Sequence, residues 1–302
     1  MNRNQSKLLV WIVVGGGAFV LFVVTLFALV LFSLRENESR DFSFSNNKIA
    51  ILDLNGIILE SKSVVDQLQK FADNPSIKAI ILRIDSPGGG VAASQEIHNE
   101  VLRLKKKKNK VFVSSMASVA ASGAYYIACA TDKIVANPGT ITGSIGVIAE
   151  WYNYGELMRW AKLKNVVLKS GEFKDAPSPV RDLTDGEKKY LQNLIDDMYS
   201  QFLTAVAEGR KLDLETVRKF SDGRVYTGKD AKSKKLVDEI GGLQDAIEIA
   251  SRLAKISGEP KLVTPPKERR TLLDLLMGDV SEIIPFNSHI KETRLQFSYL
   301  WK

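Results

Sequence analysis

A chain of 302 residues, 45% hydrophobic and 25% charged, has ample length for a packed core and too much apolar content to remain disordered. The net charge is +7, but the basic residues are dispersed, and the densest cluster, Lys105–Lys108, reads as a solvated helix end rather than a nucleic-acid surface. A single cysteine, Cys129, excludes an internal disulfide and a cysteine-based metal site, and two isolated histidines, His98 and His289, do not make a zinc site; no metal or other cofactor is expected.

The run from Leu8 to Phe32 carries no charge and is almost wholly apolar, long enough to cross a bilayer as a helix. It exceeds the apolar core of a cleaved secretory signal, and Leu31-Phe32-Ser33-Leu34 offers no small-residue cleavage site. Residues 8–34 therefore read as one uncleaved transmembrane anchor in contact with lipid. Arg3 and Lys7 precede it and mixed charge follows, which puts residues 1–7 in the cytoplasm and everything after the anchor outside. Residues 35–47 are polar and read as a linker.

From Lys48 onward, short apolar runs alternate with helical patterns. Strands are expected at Ile49–Leu54, Ile77–Ile84, Val111–Ser115 and Lys133–Asn137, with helices over Ser63–Phe71, Ala92–Lys106 and Ser122–Ala130. This order argues for a mostly parallel sheet covered on both faces. A helix near Tyr154–Leu163, a strand at Val166–Lys169 and a loop over Ser170–Arg181 come next. Thr184–Gly209 is a strongly amphipathic helix, with a capping box if Thr184 caps and Glu187 reaches back. Helices at Leu214–Phe220, Gly228–Lys234 and Leu243–Ile256 complete the domain at 48–256. Residues 257–302 form an extension whose apolar stretch from Leu272 suits a neighbouring subunit, the membrane or the cleft itself.

The stretch Asp85–Tyr126 holds the chemistry. Each of its two apolar runs stops in residues with little side chain, Ser86-Pro87-Gly88-Gly89-Gly90 and Ala120-Ala121-Ser122-Gly123-Ala124, where backbone N–H groups are approachable. Ser122 stands in the second as a nucleophile on a strand-to-helix turn, similar in steric logic to the Gly-x-Ser-x-Gly elbow. His98 and His289 read as surface residues, which leaves a lysine as base. That lysine must be neutral when it acts, which requires burial or cationic neighbours. Lys174 is well placed for this, and the residues alone do not choose it over Lys169 or Lys133.

Ala120–Ile127, the run Asp132–Val147 with its Thr142-Gly143-Ser144-Ile145-Gly146 core, Asp85–Gly89, Lys169–Asp175 and Asp222–Gly228 together resemble the short, single-domain bacterial form of the signal peptide peptidase A family. The resemblance spans about residues 48–256. It implies an α/β fold similar to Clp protease and crotonase enzymes, and a Ser-Lys serine protease at the outer face of the cytoplasmic membrane. By motif Ser122 is the nucleophile, Lys174 the general base and Ser144 the residue that steadies the lysine; Gly89 and Gly123 supply the oxyanion-hole N–H groups. Ala117 and Ala124 stand where the family often has glycine. The implied substrates are remnant signal peptides or other small or apolar peptide segments, and the implied assembly is a homo-oligomer whose neighbours share the cleft. A crotonase-like acyl-CoA enzyme and a non-catalytic membrane scaffold are the alternatives.

Overall fold

The computed structural model describes residues 47–265 and 296–301, with a few positions between 16 and 25. The chain divides into two compact units, Met1–Phe44 and Ser45–Lys302. The expected anchor, 8–34, and linker, 35–47, lie almost wholly outside the described residues, as does most of the extension from Leu272. Among the described residues no helix is long and apolar enough to cross a membrane.

The second unit opens β1 (Lys48–Asn55), α1 (Lys62–Asp73), β2 (Ile77–Ser86), β3 (Gly88–Gly90), α2 (Val91–Lys108), β4 (Val111–Ala121), α3 (Gly123–Ala128), β5 (Lys133–Ala136), β6 (Ile141–Gly143) and β7 (Ile148–Glu150). It continues α4 (Gly155–Trp160), α5 (Asp185–Arg210), α6 (Leu214–Arg218), β8 (Val225–Thr227), α7 (Gly228–Ser233), β9 (Glu239–Ile240), α8 (Leu243–Leu253), β10 (Lys261–Val263) and β11 (Gln296–Leu300). The main sheet has the order β10-β1-β2-β4-β5-β9, every neighbouring pair parallel. β6 extends it parallel to the end of β4, and β8 pairs antiparallel with β6.

Residues alternate between two buried faces along each strand, which is why these strands read as unbroken apolar runs. Ile49, Ile51, Ala79, Ile81, Val113 and Val135 pack on one face against Ala246, Ile247 and Ala250 of α8. Ala50, Leu52, Ile80, Leu82 and Phe112 point the other way, into a larger core with Leu68, Ile97, Val101, Leu104, Phe202 and Val206. Cys129 lies in that core as a small apolar residue, its thiol pushed up to about 12 by burial. Thr184 caps α5 with the anticipated capping box: its hydroxyl accepts from Glu187 N–H while the Glu187 carboxylate accepts from Thr184 N–H.

Two expectations are corrected. Val166–Lys169 is not a strand; Val166 is 73% and Leu168 96% exposed, with no partner strand among the described residues to satisfy its backbone. His98 is not a surface residue but is buried against the Tyr126 ring at 4.8 Å. Burial lowers its pKa, and its ring nitrogen is hydrogen-bonded to Asn99 rather than to a serine.

The topology gathers the carboxyl ends of β2, β4 and β6 at one edge. Ser86 lies opposite Ala120 after a register shift in the β2–β4 ladder, and Ala121 lies opposite Gly143. The segments that leave these three strands carry Gly88–Gly90, Ser122 with Gly123, and Ser144, in the place where parallel α/β sheets open a crevice.

Candidate active site

Ser122 is the joint between β4 and α3. Its N–H donates to the Gly143 carbonyl at 2.8 Å, and its own carbonyl accepts from Tyr126 N–H at 2.9 Å, starting the helix. Between these two bonds the residue is held at φ +55, ψ −119, a region that a side chain rarely enters. Among the described residues seven non-glycine positions have positive φ, and five of them, Asn109, Lys162, Lys211, Lys235 and Lys255, lie just past helix ends, where the left-handed turn is ordinary. The other two are Ser122 and Ser144, the two serines singled out by motif. Ser122 is 1% exposed, and its hydroxyl has no hydrogen-bond partner among the described residues.

The glycines ahead of it are packed to the limit of backbone contact. A Cβ on Gly88, whose φ is +101, would lie 2.7 Å from Gly123 N and collide with the Tyr299 carbonyl oxygen. One on Gly123 would lie 3.2 Å from Gly89 N and 3.1 Å from that same oxygen, and would strike the Ser94 hydroxyl. The N–H groups of Gly89 and Gly123 are therefore brought to one small volume, and the space a side chain would fill holds a peptide carbonyl. Ser94 Oγ, behind Gly123, is buried without a partner among the described residues; nothing in the sequence marks it apart from other helix serines.

That carbonyl belongs to the C-terminal strand. β11 lies between β3 and β7, antiparallel to both, with Tyr299 opposite Gly89 and Ser298 opposite Ile148. Trp301 N–H donates to the Pro87 carbonyl at 2.9 Å, and the alternation of an antiparallel ladder then makes Tyr299 and Gly89 a hydrogen-bonded pair. An extended peptide thus adds to two strand edges with one carbonyl seated at the glycine cradle. Cleft occupation was among the roles read for the extension, but no pattern pointed to residues 296–301.

Ser144 follows directly from the Gly143 carbonyl that fixes Ser122, and its own N–H donates to the Arg224 carbonyl at 2.8 Å. A cavity of about 440 Å³ beside it is walled by Ile145, Ile148, Ile195, Tyr199, Leu300 and Trp301.

Lys174 is not brought to these residues within the single chain. Its side chain is exposed and makes no hydrogen bond or ion pair among the described residues. Its neighbour Phe173 packs on Tyr190 near the start of α5, at 5.2 Å between ring centres. Tyr126, one helical turn from Ser122, packs on Phe202, which lies about 18 Å further along α5 than Tyr190. The two competing lysines are engaged elsewhere: Lys169 pairs with Asp175 at 2.6 Å, and Lys133 with Asp238 at 3.2 Å.

The loop bearing Lys174 is pinned by charge. Arg181 bridges Asp175 at 2.9 Å and the buried Glu187 at 2.6 Å, and Lys169 closes on the same Asp175. Hydrogen bonds from Lys169 and then Arg181 lower Asp175 to about 2, and those from Arg181 and then the Thr184 backbone lower Glu187 to about 2. Carboxylates depressed on folding stabilise above the ordinary range near pH ~4, and that contribution is lost as pH falls toward about 2. The thermal midpoint is expected to drop across this window, and Asp175→Asn to lose part of the drop. An Asp175→Asn protein titrating like the parent would show that Asp175 does not help hold the loop.

Comparison with known proteins identifies the family. The family model described as peptidase family S49 matches residues 103–257, and that of Clp protease matches residues 46–140. A putative protease of Synechocystis is 38% identical over 240 residues, covering 79% of this chain and 86% of its own. A putative signal peptide peptidase of Enterococcus faecium is 34% identical over 233 residues, covering 73% and 67%; protease 4 of Salmonella typhi is 33% identical over 258 residues, covering 78% of this chain and 40% of its own. A ClpP1 variant from Listeria monocytogenes superposes with a TM-score of 0.43 at 20% identity, covering 65% of this chain and 93% of its own. The strained serine, the glycine cradle and the peptide-like strand therefore stand in a protease framework, which sets the acyl-CoA alternative aside, and the chain belongs to peptidase family S49, among proteins like signal peptide peptidase A.

Proposed function

We propose that the protein is a membrane-anchored serine endopeptidase that uses a Ser122–Lys174 dyad, steadied by Ser144, at the outer face of the cytoplasmic membrane. The observation that carries the reading is the Tyr299 carbonyl lodged against Gly88 and Gly123, the residue after Ser122, with Tyr299 paired opposite Gly89. In this reading Ser122 Oγ adds to the carbonyl carbon of an extended peptide as neutral Lys174 takes its proton. The developing oxyanion is held by Gly89 and Gly123 N–H, each such donor worth about 3–4 kcal/mol in the transition state. The amine departs with the proton, and water releases the acyl group by the same route. Residues 8–34 anchor the chain in the bilayer, and peptide segments left near the membrane, signal peptides among them, are the substrates.

The base comes from a second copy of the chain. In one chain Lys174 is exposed, and the same region exposes Tyr152, Trp160, Leu163, Val166 and Leu168, between 61% and 96% exposed. Docking that apolar arm on a neighbour buries it and carries Lys174 into the neighbour's cleft, where loss of water makes the neutral amine accessible.

A peptidyl phosphonate that esterifies active serines tests the assignment. One adduct per chain is expected by intact mass, mapped to Ser122. An adduct on Ser94, Ser118 or Ser144 instead would move the nucleophile.

A further inference from the structure

We infer that the Ser94 hydroxyl is a third donor of the oxyanion hole, one that makes its hydrogen bond only as the transition state forms. The inference rests on the protease reading and adds to it a residue from outside the motifs that carry that reading.

Ser94 lies in the first turn of α2, four residues on from Gly90, and is fully buried. Among the described residues just two buried side-chain polar atoms lack a hydrogen-bond partner, Ser94 Oγ and, on α8, Ser251 Oγ. A hydroxyl inside a helix has a partner at hand in the carbonyl four residues back. Thr204 and Ser221 use theirs, at 3.0 Å to Ser200 and 2.8 Å to Val217, whereas Ser94 leaves the Gly90 carbonyl alone. Its oxygen is set against Gly123, where an added Cβ would strike it. That same Cβ position is 3.1 Å from the Tyr299 carbonyl oxygen and 3.2 Å from Gly89 N. Of these neighbours Gly89 N–H is a donor, and the carbonyl oxygen is the acceptor. A buried hydroxyl with no bond costs the fold its desolvation, and a site that must meet a developing charge accounts for it. As Ser122 Oγ adds, the carbonyl carbon turns tetrahedral and its oxygen takes on negative charge. The Ser94 hydroxyl turns its proton to that oxygen and keeps the proton throughout. A bond absent with the planar carbonyl and made as charge develops accelerates the chemical step without tightening peptide binding.

The test uses the full-length protein with Ser94→Ala and an internally quenched Gln-Phe-Ser-Tyr-Leu-Trp peptide, the sequence of residues 296–301. The chain's own tail competes equally in parent and variant. Both kcat and kcat/KM are expected to fall together, roughly 10²-fold. Inhibition by Gln-Phe-Ser-tyrosinal, whose aldehyde adds Ser122 Oγ and places its oxygen in the hole, should weaken by a similar factor. Affinity of the uncleaved peptide should be the same in Ser122→Ala with and without Ser94→Ala, and the urea midpoint should not fall, since an unpaired polar group is removed. A Ser94→Ala protein with the parent's kcat overturns the inference and leaves the protease reading standing. So does a loss of kcat matched by an equal loss of uncleaved-peptide affinity and a lower urea midpoint, which would make Ser94 structural. A parent protein without Ser122-dependent hydrolysis overturns the protease reading, and the inference falls with it.

Discussion

Replacing Ser122 by alanine is expected to lower kcat/KM for peptide hydrolysis at least roughly 10⁴-fold, as loss of a nucleophile does where the rest of the site survives. The fold should survive, because the hydroxyl makes no hydrogen bond among the described residues and the turn is held by the backbone bonds to Gly143 and Tyr126. A second substitution makes the prediction sharper. Glycine normally costs about 0.5–1 kcal/mol relative to alanine through the freedom it has in the unfolded chain. At φ +55, ψ −119 a residue with a Cβ stores strain of about 1–3 kcal/mol, which glycine relieves. The sign therefore reverses here, and Ser122→Gly should have the higher urea midpoint of the two inactive proteins. If the alanine protein keeps parental activity, Ser122 is not the nucleophile. If alanine is the more stable, the turn is not strained in solution.

The sheet and its covering helices were legible because their signals are local. β1 and β2 announce themselves as apolar runs without alternation, the mark of a strand buried on both faces, and Thr184 with Glu187 spells out a cap. The tight turn at Ser122 and the glycines around it were legible because a turn packed against other backbone needs small residues, and smallness is written in the residue itself. Val166–Leu168 misled because β-branched residues favour a strand only where a neighbouring edge exists, and among the described residues none reaches them. His98 misled because a helix pattern does not tell how closely the next helix packs. The cleft's occupant was not legible at all: Gln296–Leu300 gains its strand only by joining β3 and β7, more than 200 and about 150 positions back along the chain. Lys174 sits between these cases. Its motif is readable, but its burial depends on what surrounds it, and one chain leaves it exposed.

That difference gives the second large effect. Lys174→Ala should be as inactive as Ser122→Ala, and Lys174→Arg should not rescue it, because a guanidinium does not release its proton. Mixing separates the two ways of building the dyad. If serine and lysine came from one chain, every site in a mixture of Ser122→Ala and Lys174→Ala subunits would lack one of them, and activity would stay at background. If the lysine crosses from a neighbour, a Lys174→Ala subunit still offers Ser122 and an adjacent Ser122→Ala subunit still offers Lys174. Random co-assembly in a closed, symmetric ring then makes about a quarter of the sites complete. Co-expression of the two inactive proteins should accordingly restore about a quarter of parental activity, against nothing for either alone. A third substitution ties the rescue to the surface proposed to carry it: Trp160→Asp, exposed in the single chain, should leave the subunit folded yet abolish both assembly and complementation. Background activity from a mixed oligomer shown to contain both subunits would place the base within the same chain and require the Lys174 loop to close on Ser122 by itself.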